Sequence, residues 1–203
     1  GIKHSIIPIG EIYDSFQSSL ECEFKGLELD ITEENLQSRC RGVILMALSN
    51  KSGEIVLTTG NKSETAVGYS TLYGDTAGGF GVLKDVPKTL VYELARYRNT
   101  ISKVIPERII ERPPSAELAP DQQDSDSLPD YDTLDKIIEL YVEQDKSKKE
   151  IEESGIESNI LNRVIGLIDL SEYKRRQAPL GVKITSRGFG KDRRYPITNK
   201  FLK

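Results

Sequence analysis

The stretch from Glu54 to Asp75 constrains the fold more than any other part of this 203-residue chain. It reads EIVLTTGNKSETAVGYSTLYGD, and its first residues form a short apolar run with β-branched members. Such a run indicates a parallel strand covered on both faces. Polar residues and Gly60 end the strand before a helix begins. Open α/β sheets bind ligands at the carboxyl ends of their strands, so Thr59 and the turn at 62–64 are predicted to face a crevice.

The remaining pattern predicts an α/β fold: a partial doubly wound, mostly parallel sheet flanked by helices, with a helical C-terminal part. Ser5–Ile9 is the second strand candidate, and a long helix would connect it to the strand at 54–58 in a βαβ crossover. That helix has apolar spacing over 33–48, with Thr32 as its predicted N-cap.

Two further helices follow from apolar residues at three- and four-residue steps. One runs from Lys88 to Arg98 after Pro87, and the other from Tyr131 to Gln144 with Asp132 as its predicted cap. The glycines at 78, 79 and 81 follow a helix and lack the spacing of a dinucleotide-binding motif, so they predict a flexible loop.

Composition places the chain among single-domain proteins of a reducing compartment. Cys22 and Cys40 lie in unrelated contexts, without the spacing of a zinc site or a disulfide framework. The longest apolar run, VILMAL, is far shorter than the roughly 20 residues that cross a bilayer. We therefore expect a cytoplasmic protein that does not bind membranes.

Positive charge is concentrated at the end of a chain whose formal net charge is −4. Residues 171–203 form a basic tail with ten Lys or Arg against two acidic residues. Such a tail fits nucleic-acid binding, packing against another part of the protein, or contact with a phosphorylated small molecule. Composition alone favours packing.

Several polar residues have both a structural and a chemical interpretation. Asn35 and Arg39 lie four apart on one helix face, as in a surface contact or a ligand site. Glu64 either caps its helix with Asn61 or serves chemistry. Asp75 either forms a turn with the preceding glycine or supplies a second carboxylate. Lys88 lies at a helix start, where the macrodipole disfavours a cation, so it is either solvated or bound to an anion.

A proline-rich acidic segment at 106–130, which we call the lid segment, is too polar for a core. Composition predicts a disordered linker. A loop of this length inside a compact domain is also typical of a mobile flap over a site.

Six segments, in chain order, resemble the synthetase domain of glutamine-dependent NAD synthetases. They are ENLQSRCRG at 34–42, TTGNKSE at 58–64, GYSTLYGD at 68–75, KDVPKTLVYELARYRN at 84–99, PERIIERPPSAELAPDQQDSDSLPDYDTLD at 106–135 and EYKRRQAPLGVKITSRGFGKDRRYPITNKF at 172–201. Together they cover most of the chain. Tyr173 stands where the ammonia-dependent branch has histidine, which favours the glutamine-dependent branch.

The resemblance implies a ligase of the ATP pyrophosphatase type that amidates deamido-NAD to NAD. ATP and Mg²⁺ would activate the nicotinate carboxylate as an adenylate, and ammonia released from glutamine would displace AMP. Charge neutralisation and alignment matter most in such steps.

The resemblance also assigns residues. It implies that ATP contacts Thr59, Lys88 and Ser115, and that deamido-NAD contacts Asn35, Arg39, Glu64 and Lys174. Glu64 would also serve Mg²⁺, and Lys88 and Asp75 would be the catalytic groups.

One departure from the family pattern is the phosphate-binding loop S-G-G-x-D-S, which these 203 residues lack together with a glutamine-hydrolysing domain. The chain is therefore expected to be the C-terminal portion of a single synthetase domain and inactive alone. Two alternatives stay open: a non-catalytic nucleotide-binding or dimerisation module, and another amide-forming ATP pyrophosphatase such as the GMP synthetase type. A homodimer is expected through the helix at 33–48, which is apolar over much of its circumference.

Overall fold

The computed structural model describes residues 3–198, which form a mostly helical structure around a small parallel sheet. The sheet has the order β1-β2-β3, with β1 at Leu57–Thr58, β2 at Phe80–Gly81 and β3 at Leu180–Gly181. Both pairings are parallel, with Leu57 opposite Phe80 and Phe80 opposite Leu180. The carboxyl ends of the three strands therefore lie at one edge.

The helices surround this sheet. They are α1 (Gly10–Leu20), α2 (Ile31–Ser52), α3 (Lys62–Val67), α4 (Lys88–Ile101), α5 (Glu107–Glu111), α6 (Tyr131–Ile138), α7 (Lys148–Glu152), α8 (Ser158–Leu170) and α9 (Glu172–Arg175). A π-helical turn at Glu139–Glu143 directly extends α6, and a 3₁₀ turn at Asp124–Asp126 lies in the lid segment. The predicted helices at 88–98 and 131–144 are thus present, although the second ends in a different helical geometry.

The main apolar core lies between α3, α6 and α8. Leu134 and Ile137 of α6 meet Leu161 and Ile168 of α8, and all four side chains are fully buried. Ala66 of α3 joins this cluster. The short helix that follows β1 is therefore anchored on the core through Ala66 and Val67, while Glu64 and Thr65 stay partly exposed.

The predicted helix caps were each wrong by two residues. Asp30, not Thr32, caps α2: its side chain accepts a hydrogen bond from the Thr32 amide at 2.7 Å, and Glu33 accepts one from the Asp30 amide at 2.9 Å. Asp130, not Asp132, caps α6 by accepting from the Thr133 amide at 2.8 Å. Aspartate is as good an N-cap residue as threonine. In α2 the two reciprocal hydrogen bonds of the capping box between Asp30 and Glu33 favour Asp30 over Thr32 as the cap.

The strand predicted at Ser5–Ile9 was wrong, and so was the crossover built on it. Residues 5–9 are irregular, Ile6 and Ile7 are exposed, and Pro8 has no amide hydrogen for a sheet ladder. The parallel connections instead join β1 to β2 through α3, and β2 to β3 through the later helices.

Two local predictions at the sheet also need correction. The glycine segment predicted as a loop contains β2, because Phe80 and Gly81 pair on both sides. The strand predicted at 54–58 shortens to Leu57–Thr58, and Ile55 and Leu57 are exposed rather than covered.

The described part of the basic tail packs against the core. Arg175 is buried and donates to the carbonyl oxygens of Ala66 at 2.6 Å and Ile168 at 2.5 Å. Its guanidinium group also lies over the rings of Phe189 and Tyr195. Residues 199–203 of the tail lie outside the described residues. Within 3–198, no helix is both long and apolar enough to cross a membrane.

Ile168 tests whether α8 supplies the core, because its side chain is 0% exposed while Leu170 of the same helix is 62% exposed. Ile168→Ala should lower the free energy of unfolding by about 2–5 kcal/mol, since it removes buried methylenes and leaves a cavity. Leu170→Ala should change it by less than about 0.5 kcal/mol. Urea denaturation of both variants checks this, and equal losses would contradict the described core.

Candidate active site

Two adjoining cavities lie beside the carboxyl end of β1. The smaller, of about 100 Å³, includes Thr59 in its lining, and the larger, of about 280 Å³, includes Asn35, Lys88 and Ser115. Five residues line both: Glu64, Tyr69, Ser70, Asp75 and Lys174. Seven of the eight site residues expected from the sequence therefore border one crevice. Arg39 is the exception.

Glu64 combines the two roles that the sequence left open. Its Oε2 accepts from the Asn61 amide at 3.2 Å, and Asn61 Oδ1 accepts from the Glu64 amide at 3.0 Å, which completes a capping box. Its Oε1 accepts from Lys88 Nζ at 3.0 Å across the cavity wall. One oxygen is thus structural and the other faces a cation, so capping does not exclude chemistry.

Lys88 is aimed at Glu64 by the start of α4. The Lys88 amide donates to Ser63 Oγ at 2.8 Å, and the next amide, of Thr89, donates to Asp135 Oδ2 at 2.9 Å. These partners satisfy amides that a helix start leaves unbonded. The ammonium group lies 5.2 Å from the ring centre of Tyr131. The anionic partner expected for Lys88 is present within the chain.

Asp75 is held by a tight turn. Its Oδ1 accepts from the Thr71 amide at 2.7 Å, and Thr71 Oγ1 donates to Asn35 Oδ1 at 2.7 Å. The turn and chemical interpretations again coexist. Although Asp75 as a residue is exposed, desolvation of its carboxyl group raises the pKa, and nearby Glu64 raises it further.

Close backbone approach fixes this turn on α2. A Cβ at Gly74 would lie 2.2 Å from Ser38 Oγ, and one at Gly42 would lie 2.6 Å from the Tyr73 carbonyl oxygen. Ser38 Oγ instead accepts from the Asp75 amide at 3.2 Å. Small residues on both sides therefore bring Asn35 of α2 next to the Asp75 turn.

Lys174 reaches the cavities from α9. Its Nζ donates to the carbonyl oxygens of Gly68 at 2.8 Å and Ser70 at 2.7 Å. Desolvation lowers the pKa of Lys174, and Asp75 opposes that change. Arg39 is exposed and lines neither cavity; its Nε donates to the Leu72 carbonyl oxygen at 3.2 Å.

The lid segment borders the larger cavity and is tied to α2. Gln122 Nε2 donates to Glu34 Oε2 at 3.3 Å, and Gln37 Nε2 donates to the Leu118 carbonyl oxygen at 3.4 Å. Ser115 Oγ accepts from the Glu117 amide at 3.0 Å. In this structure the segment is therefore a folded wall with hydrogen bonds to the body of the protein.

Lys62 was predicted to face the crevice but is fully buried on the opposite side of α3. Its Nζ lies 2.8 Å from Glu143 Oε1 and 3.2 Å from Asp85 Oδ1, and it donates to Thr185 Oγ1 at 2.5 Å. No local pattern indicates this burial, because the partners of Lys62 lie far along the chain. Asp124, a buried lid residue bound to Tyr131, was also missed, although this partner lies only seven residues along the chain.

The small parallel sheet, its flanking helices and the polar crevice at the strand ends define an α/β protein of the adenine-nucleotide alpha-hydrolase-like fold. The family model for NAD synthase matches residues 1–178. The chain belongs to this family.

Curated relatives named glutamine-dependent NAD(+) synthetase are similar over the whole chain. The protein from Acinetobacter baylyi is 57% identical over 98% of this chain and 37% of its own length. The protein from Aquifex aeolicus is 54% identical over 100% of this chain and 36% of its own length. The chain thus spans just over a third of the length of these relatives.

Solved structures agree. The glutamine-dependent NAD⁺ synthetase from Acinetobacter baumannii, in complex with ADP, is 51% identical with a TM-score of 0.51, covering 93% of this chain and 34% of that one. The NMN synthetase from Francisella tularensis is 27% identical with a TM-score of 0.70, and the match covers 86% of this chain and 64% of that one.

Asp85 gives a pH test of the contacts that hold the tail. Burial alone would raise the pKa of Asp85. The carboxylate, however, accepts hydrogen bonds from the Thr185 and Ile184 amides and from the Thr185 hydroxyl, and it lies beside the Lys62 charge. Together these contacts lower its pKa below 3.8. A lowered folded pKa means that the carboxylate stabilises the fold above pH 3.8 and that this stabilisation disappears as pH falls through the folded pKa. Asp85→Asn should therefore destabilise the protein at neutral pH, by an amount that shrinks below pH 3.8.

Denaturant titrations across this pH range measure the difference. Asp14→Asn is the matched control, because Asp14 is exposed on α1. A constant difference between wild type and Asp85→Asn at all pH values would contradict the proposed linkage.

Proposed function

We propose that this chain forms part of a cytoplasmic glutamine-dependent NAD(+) synthetase, which amidates deamido-NAD to NAD with ATP through an adenylate. The observation that carries the proposal is the shared crevice, where Glu64, Asp75, Lys88 and Lys174 converge beside the end of β1. The relatives named above support the same reaction. The activity is proposed for the complete protein, because the chain spans just over a third of those relatives.

ATP would contact Thr59 in the smaller cavity and Lys88 and Ser115 in the larger one. Lys88 can offset phosphate charge in a partly desolvated site, where such an interaction is stronger than in water. The Acinetobacter baumannii relative was solved with ADP, which supports an adenine nucleotide here. The lid segment, 106–130, would then cover the nucleotide.

Deamido-NAD would contact Asn35, Glu64 and Lys174. Lys174 already donates two hydrogen bonds to carbonyl oxygens, and an ammonium group has a third donor for a phosphate or carboxylate. Arg39 would join the same substrate only by leaving the Leu72 carbonyl oxygen. Ammonia released from glutamine would attack the activated carboxylate.

Mg²⁺ fits this crevice as a partner of the substrate phosphates. Among residues 3–198, no group of three His, Cys, Asp or Glu side chains could hold a metal ion by itself. Mg²⁺ commonly uses one or two carboxylates together with substrate phosphates, which Glu64 and Asp75 could supply. Bound there, the ion would neutralise phosphate charge, and Asp75 would act by orienting it.

Lys88→Ala in the complete protein should lower kcat by about 10²-fold, because it removes one preorganised cation from the developing charge. Asn35→Ala should mainly raise the KM for deamido-NAD, as loss of uniform binding does. Pyrophosphate release with both substrates varied measures the two effects.

Lys149→Ala, an exposed change on α7, is the control and should leave both constants unchanged. An unaltered kcat and ATP dependence in Lys88→Ala would show that the site is assigned wrongly. Amidation of a mononucleotide in preference to deamido-NAD would favour the reaction class of the NMN synthetase relative.

A homodimer is the second part of the proposal, because α2 exposes Val43, Leu45, Met46 and Leu48. Exposed apolar groups of this density are typical of an interface. Val43→Asp with Leu48→Asp should shift the protein to monomer in sedimentation velocity at micromolar concentration, while Lys149→Asp on α7 should not. A wild-type monomer would contradict the proposal.

A further inference from the structure

Asp124 is a buried carboxylate with one unpaired oxygen. The residue is 4% exposed, and its Oδ2 accepts from the Tyr131 hydroxyl at 2.6 Å. Its Oδ1 is buried and accepts no hydrogen bond of ordinary geometry within residues 3–198. The nearby Tyr69 hydroxyl lies close enough that, after burial, the Asp124 carboxylate is the next cause of its raised pKa. A buried acceptor left unpaired destabilises the protein, and more so when the group is charged. Such an atom in a cavity wall indicates a missing donor.

This acceptor is held rigidly at the larger cavity, which it lines together with Tyr69, Lys88 and Ser115. The Asp124 amide donates to the Pro114 carbonyl oxygen at 3.0 Å, which closes the lid segment on itself. The Asp124 carbonyl oxygen accepts from the Leu128 amide at 2.9 Å. Backbone and side chain are both fixed, so Oδ1 is preorganised for a ligand.

The chemistry of the cavity defines what that ligand must present. Four carboxylates but only two ammonium groups line it, namely Glu34, Glu64, Asp75 and Asp124 against Lys88 and Lys174. Such a wall disfavours an unaccompanied phosphate beside Asp124 and favours a hydrogen-bond donor. The cavity of about 280 Å³ is much larger than the roughly 30 Å³ that one water occupies in the liquid. It also has apolar walls at Ile31, Ala116 and Leu118, as a ring-sized group requires.

We propose that Asp124 Oδ1 accepts a hydrogen bond from a ribose hydroxyl of the bound nucleotide and is thereby a specificity-determining residue of the site. Acidic side chains bind ribose hydroxyls in this way in other nucleotide folds. This inference rests on the proposed function, whose substrates both carry ribose. The hydroxyl belongs either to ATP or to the dinucleotide.

Calorimetric titration of the complete protein separates these sources. One arm compares ATP with 2′-deoxy-ATP and 3′-deoxy-ATP, and the other compares deamido-NAD with analogues lacking one ribose hydroxyl. Loss of a hydrogen bond to a charged group should weaken binding of one deoxy ligand by about 10-fold or more. The arm in which this occurs identifies the nucleotide.

Asp124→Asn should abolish the discrimination, so that the ribo and deoxy ligands bind with similar affinity. Asp126→Asn, an exposed change in the same 3₁₀ turn, should preserve it. Thermal melting of both variants checks folding. A purely structural Asp124 would alter stability without altering the ratio of ribo to deoxy affinities.

The wild-type protein alone can overturn the inference. If every deoxy ligand binds as tightly as its ribo counterpart, Oδ1 is satisfied by water and not by a ribose hydroxyl. Discrimination that persists in Asp124→Asn also overturns it, while leaving NAD formation, and hence the proposed function, intact. Failure of the complete protein to bind either nucleotide would instead remove the proposed function, and this inference with it.

Discussion

The buried ammonium group of Lys62 is the contact on which the other parts of the structure depend. It joins α3 to Asp85 after β2, to Glu143 in the π-helical turn and, through Thr185 and the Arg187 carbonyl oxygen at 3.0 Å, to the tail. A buried charge is tolerated only when its partners are all present, and removing one partner typically costs several kcal/mol. Four segments distant in sequence are therefore held to one atom. Because Lys62 directly precedes Ser63 and Glu64, the same contact fixes the start of α3 and the wall of the crevice.

Neighbouring contacts extend this order to the other walls. Ser63 Oγ donates to Asp135 and accepts from the Lys88 amide, so α3, α4 and α6 share one polar junction. The Asp75 turn is fixed separately, by the close approach of Gly74 to α2. The lid segment is tied to α2 by the long side chains of Gln122 and Gln37, and to the start of α6 by the hydrogen bond between Asp124 and Tyr131.

Sequence reasoning succeeded where the information was local and failed where it was not. Apolar spacing predicted α4 and α6, and the polar end of β1 predicted a crevice, because these depend on neighbours along the chain. The strand at 5–9 failed because an apolar run does not specify a pairing partner. β2 and β3 were missed because two-residue strands in glycine-containing segments have no periodicity to detect. Lys62 was predicted to face the crevice, and its burial was missed because its partners lie 23 to 125 residues away. The resemblance to a known family supplied the site residues that spacing could not.

Glu64 shows why the structural and chemical interpretations of a residue need not compete. Its Oε2 completes the capping box and fixes the carboxylate plane, while Oε1 meets Lys88 in a pair whose side chains are 18% and 20% exposed. Desolvation of the two charges offsets much of their attraction in such a largely buried pair, so a ligand that supplies new partners to both groups can replace it. A phosphate entering the crevice would compete for Lys88, and a cation accompanying it would take the place of Lys88 at Oε1. The capping bond would hold Glu64 in position during that exchange. The helix start therefore provides a carboxylate oxygen whose position is set by the fold and whose partner would change with the bound ligand.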